Sequence, residues 1–266
     1  MSVESSTSQK GTARQVIRQL FIGTFHGIEL LDAERWYFTY HAPENLRQKG
    51  PWLRRYETYL TLTPQADAPD GLNLKSGYMS ELWWDSVEAF QESGGEPTGW
   101  VKLAPNGRGR PWTPAPFKDR SPSGQVAEAM TIIPAVPTTD HLGTEPGMDA
   151  PVLRWIRAFR YGPSLSRSEG DEWYEREVVP HVVAQSDVLR YISFKTIDYP
   201  PATESGPYGP WDRVDEIWYP TWDALIAGNT AYPTPVSGEN DGTFMVSNVV
   251  RMRPTVDFLR DEIRVP

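Results

Sequence analysis

The chain has 266 residues, with 39% hydrophobic and 23% charged side chains, which is ordinary globular usage and enough for one large core or two small ones. A net charge of −9, with no run of clustered Lys and Arg, excludes a nucleic-acid partner. The absence of Cys excludes disulfides, iron–sulfur ligation and thiolate chemistry and fits a reducing, cytoplasmic setting.

No apolar run has the length of a membrane span, and residues 1–10 lack the apolar segment of a secretory signal, so no membrane partner is expected. The chain carries 11 Trp, 12 Tyr and 9 Phe. Such rings bring a large apolar surface with one polar handle, which suits either a cavity for flat organic molecules or a Trp-rich core.

In chain order, residues 1–14 read as a disordered N-terminus, and a first unit spans 15–136. Val16 to Phe25 is a β-rich apolar run. Asp32 is a plausible N-cap for a helix to about Gln48, and Pro43 inside it predicts a break just before it, where His41 sits. Leu53 to Leu62 and Tyr78 to Trp84 read as strands, the second with Glu81 and Trp83 on one face and Leu82 and Trp84 on the other. Ser86 caps a short helix, and Ala127 to Val136 is a closing strand. Gly94 to Gly124, with six prolines, is an insert that reads as a lid over a site or as a disordered loop.

Residues 137–151 read as a linker, whose His141 is expected in solvent. The second unit, 152–266, has strands at Leu153 to Tyr161, Val188 to Ile197, Val214 to Trp218 and Thr243 to Met252, and helices at Glu169 to Ala184 and Trp222 to Ala227. It repeats the first. Trp36-Tyr37-Phe38-Thr39-Tyr40-His41-Ala42-Pro43 aligns without a gap on Trp173-Tyr174-Glu175-Arg176-Glu177-Val178-Val179-Pro180, with Val178 in place of His41. Leu53 to Tyr56 answers to Val188 to Tyr191, and Glu81 to Ser86 answers to Glu216 to Thr221. The offset barely drifts (173 − 36 = 137; 216 − 81 = 135), the mark of a duplicated supersecondary unit. The expected fold class is therefore α+β, with two tandem ferredoxin-like βαββαβ repeats whose sheets pack face to face within one chain.

Trp-Tyr-x-x-x-His-x-Pro, then Leu-Arg-x-Tyr, then Glu-Leu-Trp-Trp-Asp-Ser-x-Glu-Ala-Phe, at Trp36 to Pro43, Leu53 to Tyr56 and Glu81 to Phe90, resembles the EthD-like branch of the dimeric α+β barrel superfamily. The resemblance implies a cavity between sheet and helices, a barrel closed by the duplication within one chain, and His41 as the family histidine. It implies cofactor-free proton chemistry on a small aromatic molecule, by a lyase, dehydratase, isomerase or cyclase. A cofactor-free oxygenase and a non-catalytic binding protein are the alternatives, and a homodimer stays open.

Imidazole titrates near neutrality, so His41 is the candidate base or the packed histidine of its helix. Tyr37 and Tyr40 lie within a turn of it and are candidates to stabilise an oxyanion. His26 is a second acid or base, or a turn residue. Trp36, Trp52 and Trp83 are candidate walls of a substrate site or packing residues. Glu81 recurs as Glu216, which suits an architectural ion pair with Arg54 or Arg190 as well as a substrate contact. His181 reads as drift. No His or Cys spacing suits a metal, and no glycine-rich nucleotide loop or nucleophile elbow occurs. No cofactor and no metal are expected.

Overall fold

The structure, a computed structural model, describes residues 17–24, 35, 37–62, 77–93, 129–147, 149–162, 164–197, 211–230, 245–251 and 254–260. The strands are β1 (Ile17–Thr24), β2 (Leu53–Leu60), β3 (Tyr78–Trp84), β4 (Ala129–Asp140), β5 (Leu153–Phe159), β6 (Arg190–Thr196), β7 (Arg213–Tyr219), β8 (Met245–Arg251) and β9 (Val256–Arg260). The α-helices are α1 (Ala42–Lys49), α2 (Val87–Glu92), α3 (Arg167–Trp173), α4 (Val179–Val183) and α5 (Trp222–Thr230). Among the described residues no helix is long and apolar enough to cross a membrane.

The two sheets expected from the sequence are one. The nine strands among the described residues form a single sheet in the order β8-β5-β7-β6-β4-β1-β3-β2-β9, and every pairing is antiparallel. The join is β4 against β6, from Ala135↔Thr196 to Asp140↔Ile192. It takes β4 four residues into the stretch read as linker. Pro137 has no N–H for the ladder, and the register slips between Pro137 and Thr139. The sheet also curls until its ends meet, where the Leu62 amide just past β2 donates to the Val249 carbonyl in β8 (2.7 Å).

Alternation along the strands separates an inner face from a helix-covered outer face. Inside, Tyr59, Met79, Trp83 and Ile133 pack with Ile156, Ile192, Phe194, Val214 and Val250, so the inner faces of the two halves do meet. Outside, Tyr37, Tyr56, Leu82, Trp84 and Phe90 form the core under α1 and α2. Trp155, Tyr174, Val178, Tyr191, Ile217, Tyr219 and Leu225 form its counterpart in the second half. Each such side chain, fully buried, contributes on the order of 1.5–3 kcal/mol.

Ser86 caps α2 by accepting from the Ala89 amide, and Ser166 with Glu169 makes a capping box on α3. The long helix of each half is interrupted by a π-helical turn, Tyr37–His41 in the first half and Tyr174–Val178 in the second. A proline follows each turn by two residues, Pro43 and Pro180. Having no N–H, it cannot bond the carbonyl four residues back, so the helix widens there. In the second turn the Val179 amide reaches the Tyr174 carbonyl, five residues back.

Candidate functional site

The first π-helical turn sets Tyr37 against the outer face of the sheet. Its side chain is buried, and its hydroxyl lies 2.9 Å from Tyr56 Oη, 3.0 Å from Thr58 Oγ1 and 2.6 Å from Ser80 Oγ. Thr58 and Ser80 also meet, at 3.2 Å. A phenol has one proton, so Tyr37 donates to one of its three partners and accepts from the other two. Burial pushes its pKa up, against the hydrogen bonds of Ser80, Thr58 and Tyr56, and keeps the phenol protonated. Aromatic rings wall the cluster. Tyr78 stacks on Tyr37 at 6.1 Å, Phe38 meets Tyr37 edge-on at 5.2 Å, and Phe258 of β9 lies 4.9 Å from Tyr56.

His41 is the last residue of this turn. For His41 and Tyr40 the backbone alone is described. His26 and Trp36 lie outside the described residues, as does the proline-rich stretch 94–124.

The other sequence-derived candidates are not with Tyr37. Glu81 and Trp83 are on the inner face, across the sheet from it. Trp52 is partly exposed and donates to Glu92 (3.3 Å). Arg54 is exposed and pairs with Asp85 (2.5 Å). Glu81 is the architectural ion pair that its recurrence suggested, with a different partner from either Arg54 or Arg190. Arg154 of β5 gives Nη2 to Glu81 (2.7 Å) and Nε to Glu216 (2.6 Å), tying the repeated carboxylates together across the inner face. Arg190 instead pairs with Asp140 (2.7 Å).

The second half holds polar groups at the positions equivalent to the Tyr37 cluster. Tyr174 replaces Tyr37, Tyr191 replaces Tyr56, Ser193 replaces Thr58, and Asp215 takes the place of Ser80. The hydroxyls of Tyr174 and Tyr191 are in contact, and Tyr174 donates to Asp215 Oδ1 (2.5 Å). His141 is half-buried against Tyr191 rather than free in solvent, because the extended β4 carries it onto the sheet. Among the described residues no group of three or more His, Cys, Asp or Glu is placed to hold a metal.

No protein-family model matches the sequence, and no curated protein does. Among solved structures the chain is similar to an anthrone oxidase-like protein, at 8% identity over 90% of this chain and 91% of that one, with a TM-score of 0.52. It is more distantly similar to a mutant chlorite dismutase from Candidatus Nitrospira defluvii in complex with cyanide, at 9% identity over 90% and 92% of the two chains, with a TM-score of 0.46. The same holds for a candidate monooxygenase from Lactobacillus acidophilus NCFM, at 11% identity over 93% and 100%, with a TM-score of 0.40. The first of these likenesses shows the fold, and the other two are too distant to bear on the argument.

Proposed function

We propose that the chain is an enzyme of the EthD-like branch of the dimeric α+β barrel superfamily, built as a fused duplication of one ferredoxin-like βαββαβ unit. Its reaction is proton removal from an aromatic or polycyclic small molecule, at a site on the helix side of the first half. His41 is the base, and Tyr37 or Tyr40 is the donor to the developing oxyanion. The product is that of a lyase, dehydratase, isomerase or cyclase, and the chemistry asks for no cofactor.

The observation that carries this reading is the buried hydroxyl cluster on Tyr37, in the π-helical turn that ends at His41. Single π-helical turns are uncommon and are enriched at functional sites. A phenol kept protonated by burial stays a donor, and because Tyr56, Thr58 and Ser80 can each donate to it instead, its one proton can turn to a developing oxyanion. Trp52 packs at the edge of the same helix–sheet core, which supports its reading as a wall of the substrate site. Glu81, Trp83 and Arg54 belong to the framework.

A cofactor-free oxygenase is the second reading, favoured by the likeness of fold to an anthrone oxidase-like protein. In that case the carbanion left by the same proton removal reacts with dioxygen. Anthrone and related phenolic ketones distinguish the two readings. Deuterium exchange from solvent without oxygen uptake selects proton transfer, and oxygen uptake at an electrode selects the oxygenase. Tight binding with neither defeats both and leaves a binding protein.

A further inference from the structure

Each half has a strand laid along the one that carries its clustered tyrosine, β6 or β2. In the second half it is the end of β4. Thr139 pairs with Ser193 and Asp140 with Ile192, and the next residue, His141, stacks on Tyr191 at 4.6 Å. In the first half it is β9. Val256 pairs with Thr58 and Asp257 with Glu57, and the next residue, Phe258, lies 4.9 Å from Tyr56. Tyr191 and Ser193 stand where Tyr56 and Thr58 do, so Phe258 is the counterpart of His141.

The two straps are held differently. β4 is one continuous strand that pairs first with β1 and then with β6. His141 is fixed at its end, where its amide donates to the Tyr191 carbonyl (2.8 Å) and its Nε2 lies 3.0 Å from Ser193 Oγ. The corresponding path in the other half comes in two pieces, β8 on β5 and β9 on β2, separated by residues 252–255. Pro254, within that break, has no N–H to give a ladder. β9 has five residues, stands last in the sheet and pairs with β2 alone among the described strands. Phe258 is the extra residue of a bulge, because Asp257 and Leu259 face the adjacent Glu57 and Tyr56. A phenyl ring has no polar atom to anchor it as His141 is anchored. A short edge strand bonded on one side opens at lower free energy than the strands at the centre of a sheet.

β9 lies over the hydroxyl cluster. Phe258 packs on Tyr56 and, at 6.0 Å, on Phe38, in the core that holds Tyr37. Tyr56 and Thr58 are almost wholly inaccessible, so a covering element has to move before a substrate meets them. The π-helical turn carries Tyr37 itself, and β3 is paired on both sides. Among the described elements around the cluster, β9 is the one free to leave.

We propose that β9 is the gate of the first-half site, releasing from β2 to admit an aromatic substrate and closing with Phe258 against it. The gate rests on the assignment of the first half as the substrate site. Phe258 is then a specificity-determining residue, and the strap of the second half stays shut.

Native-state hydrogen exchange of the full chain, read by NMR, tests the release without a substrate. The Leu60 amide donates to Thr255 Oγ1 and the Thr255 amide to the Thr58 carbonyl, both at 2.8 Å, so these two amides report on β9, and the His141 amide reports on the fixed strap. The chain has no Cys, so Arg55→Cys with Arg260→Cys, at paired positions, makes a single disulfide between β2 and β9. Oxidation should slow exchange at Leu60 and Thr255 by about tenfold or more, reduction should restore it, and His141 should not respond. Phe258→Ala, which needs no disulfide, should speed the same two amides and leave His141 as it was. With anthrone, the oxidised protein should lose solvent deuterium exchange and regain it on reduction, and Phe258→Ala should change KM more than kcat. Absence of turnover in wild type defeats the first-half assignment, while amide exchange still decides whether β9 opens. Equal amide exchange in the oxidised, reduced and Phe258→Ala proteins overturns the gate, as does full turnover with the disulfide closed.

Discussion

Glu57 on β2 stands directly opposite Glu81 on β3, and both carboxyls are buried on the inner face. Tyr59 donates to Glu57 Oε2 (2.9 Å), Arg55 lies 3.6 Å away, and Arg154 gives its hydrogen bonds to Glu81 and Glu216. Burial raises the Glu57 pKa, and Glu81 adds to that effect against Arg55, Tyr59 and Arg154. The folded state therefore favours the protonated carboxyl. This contribution is fully present below the unfolded value near 4.5 and is lost as pH rises through the folded value. Glu57→Gln keeps a neutral hydrogen-bonding side chain, so it should melt above wild type at pH 8 and lose that advantage at pH 4. Thermal unfolding at the two pH values reads this directly.

Arg154 is the tie between the halves, nearly inaccessible and bonded to a carboxylate from each. Arg154→Met leaves two buried carboxylates without their guanidinium and should cost about 3–5 kcal/mol. Urea unfolding measures it. The double variant with Glu81→Gln should recover part of the loss, since one of the two orphaned charges is then gone.

Lys49, in the last turn of α1, is almost buried, and burial alone lowers its pKa to about 8 from 10.5. The unfolded chain then binds more protons than the folded one between those values. Stability from this group is fully present above 10.5 and is lost as pH falls through 8. Lys49→Met should be more stable than wild type at pH 7 and nearly equal to it at pH 10.5, by denaturant midpoints at the two pH values.

Val178 is fully buried in the outer core of the second half, at the position where the first half has His41. Val178→Ala should cost about 1–3 kcal/mol through lost burial and leave turnover at the first-half site unchanged. A fall in turnover without a fall in stability would contradict the assignment of separate roles to the two halves.

Much of the strand pattern was legible because strand alternation is a local property. Pro43 predicted a break in the first long helix, though not that it would be a π-helical turn, because the widening depends on the carbonyl that the proline leaves unbonded; the stretch Glu169 to Ala184, read as one helix, has the same turn before Pro180. Arg154 escaped notice as the partner of Glu81. Adjacent strands are all that a strand-by-strand pairing can join, whereas β5 meets β3 only once the sheet has curled. β9 was missed because Val256–Arg260 is short, and its pairing with β2 is set by an edge that exists only in the fold. The same holds for His141, which is carried onto Tyr191 by the β4–β6 pairing. Tyr37 was visible as a candidate, but its three hydroxyl partners come from β2 and β3 and no spacing near Tyr37 encodes them.

The central claim is that proton transfer in the first half runs through His41. Rates of solvent deuterium exchange into a turned-over aromatic substrate, compared between wild type and a folded His41→Ala, test it most directly. The account predicts a loss of roughly 10²–10⁴-fold, the usual contribution of a positioned base. Equal rates in the two proteins would contradict it.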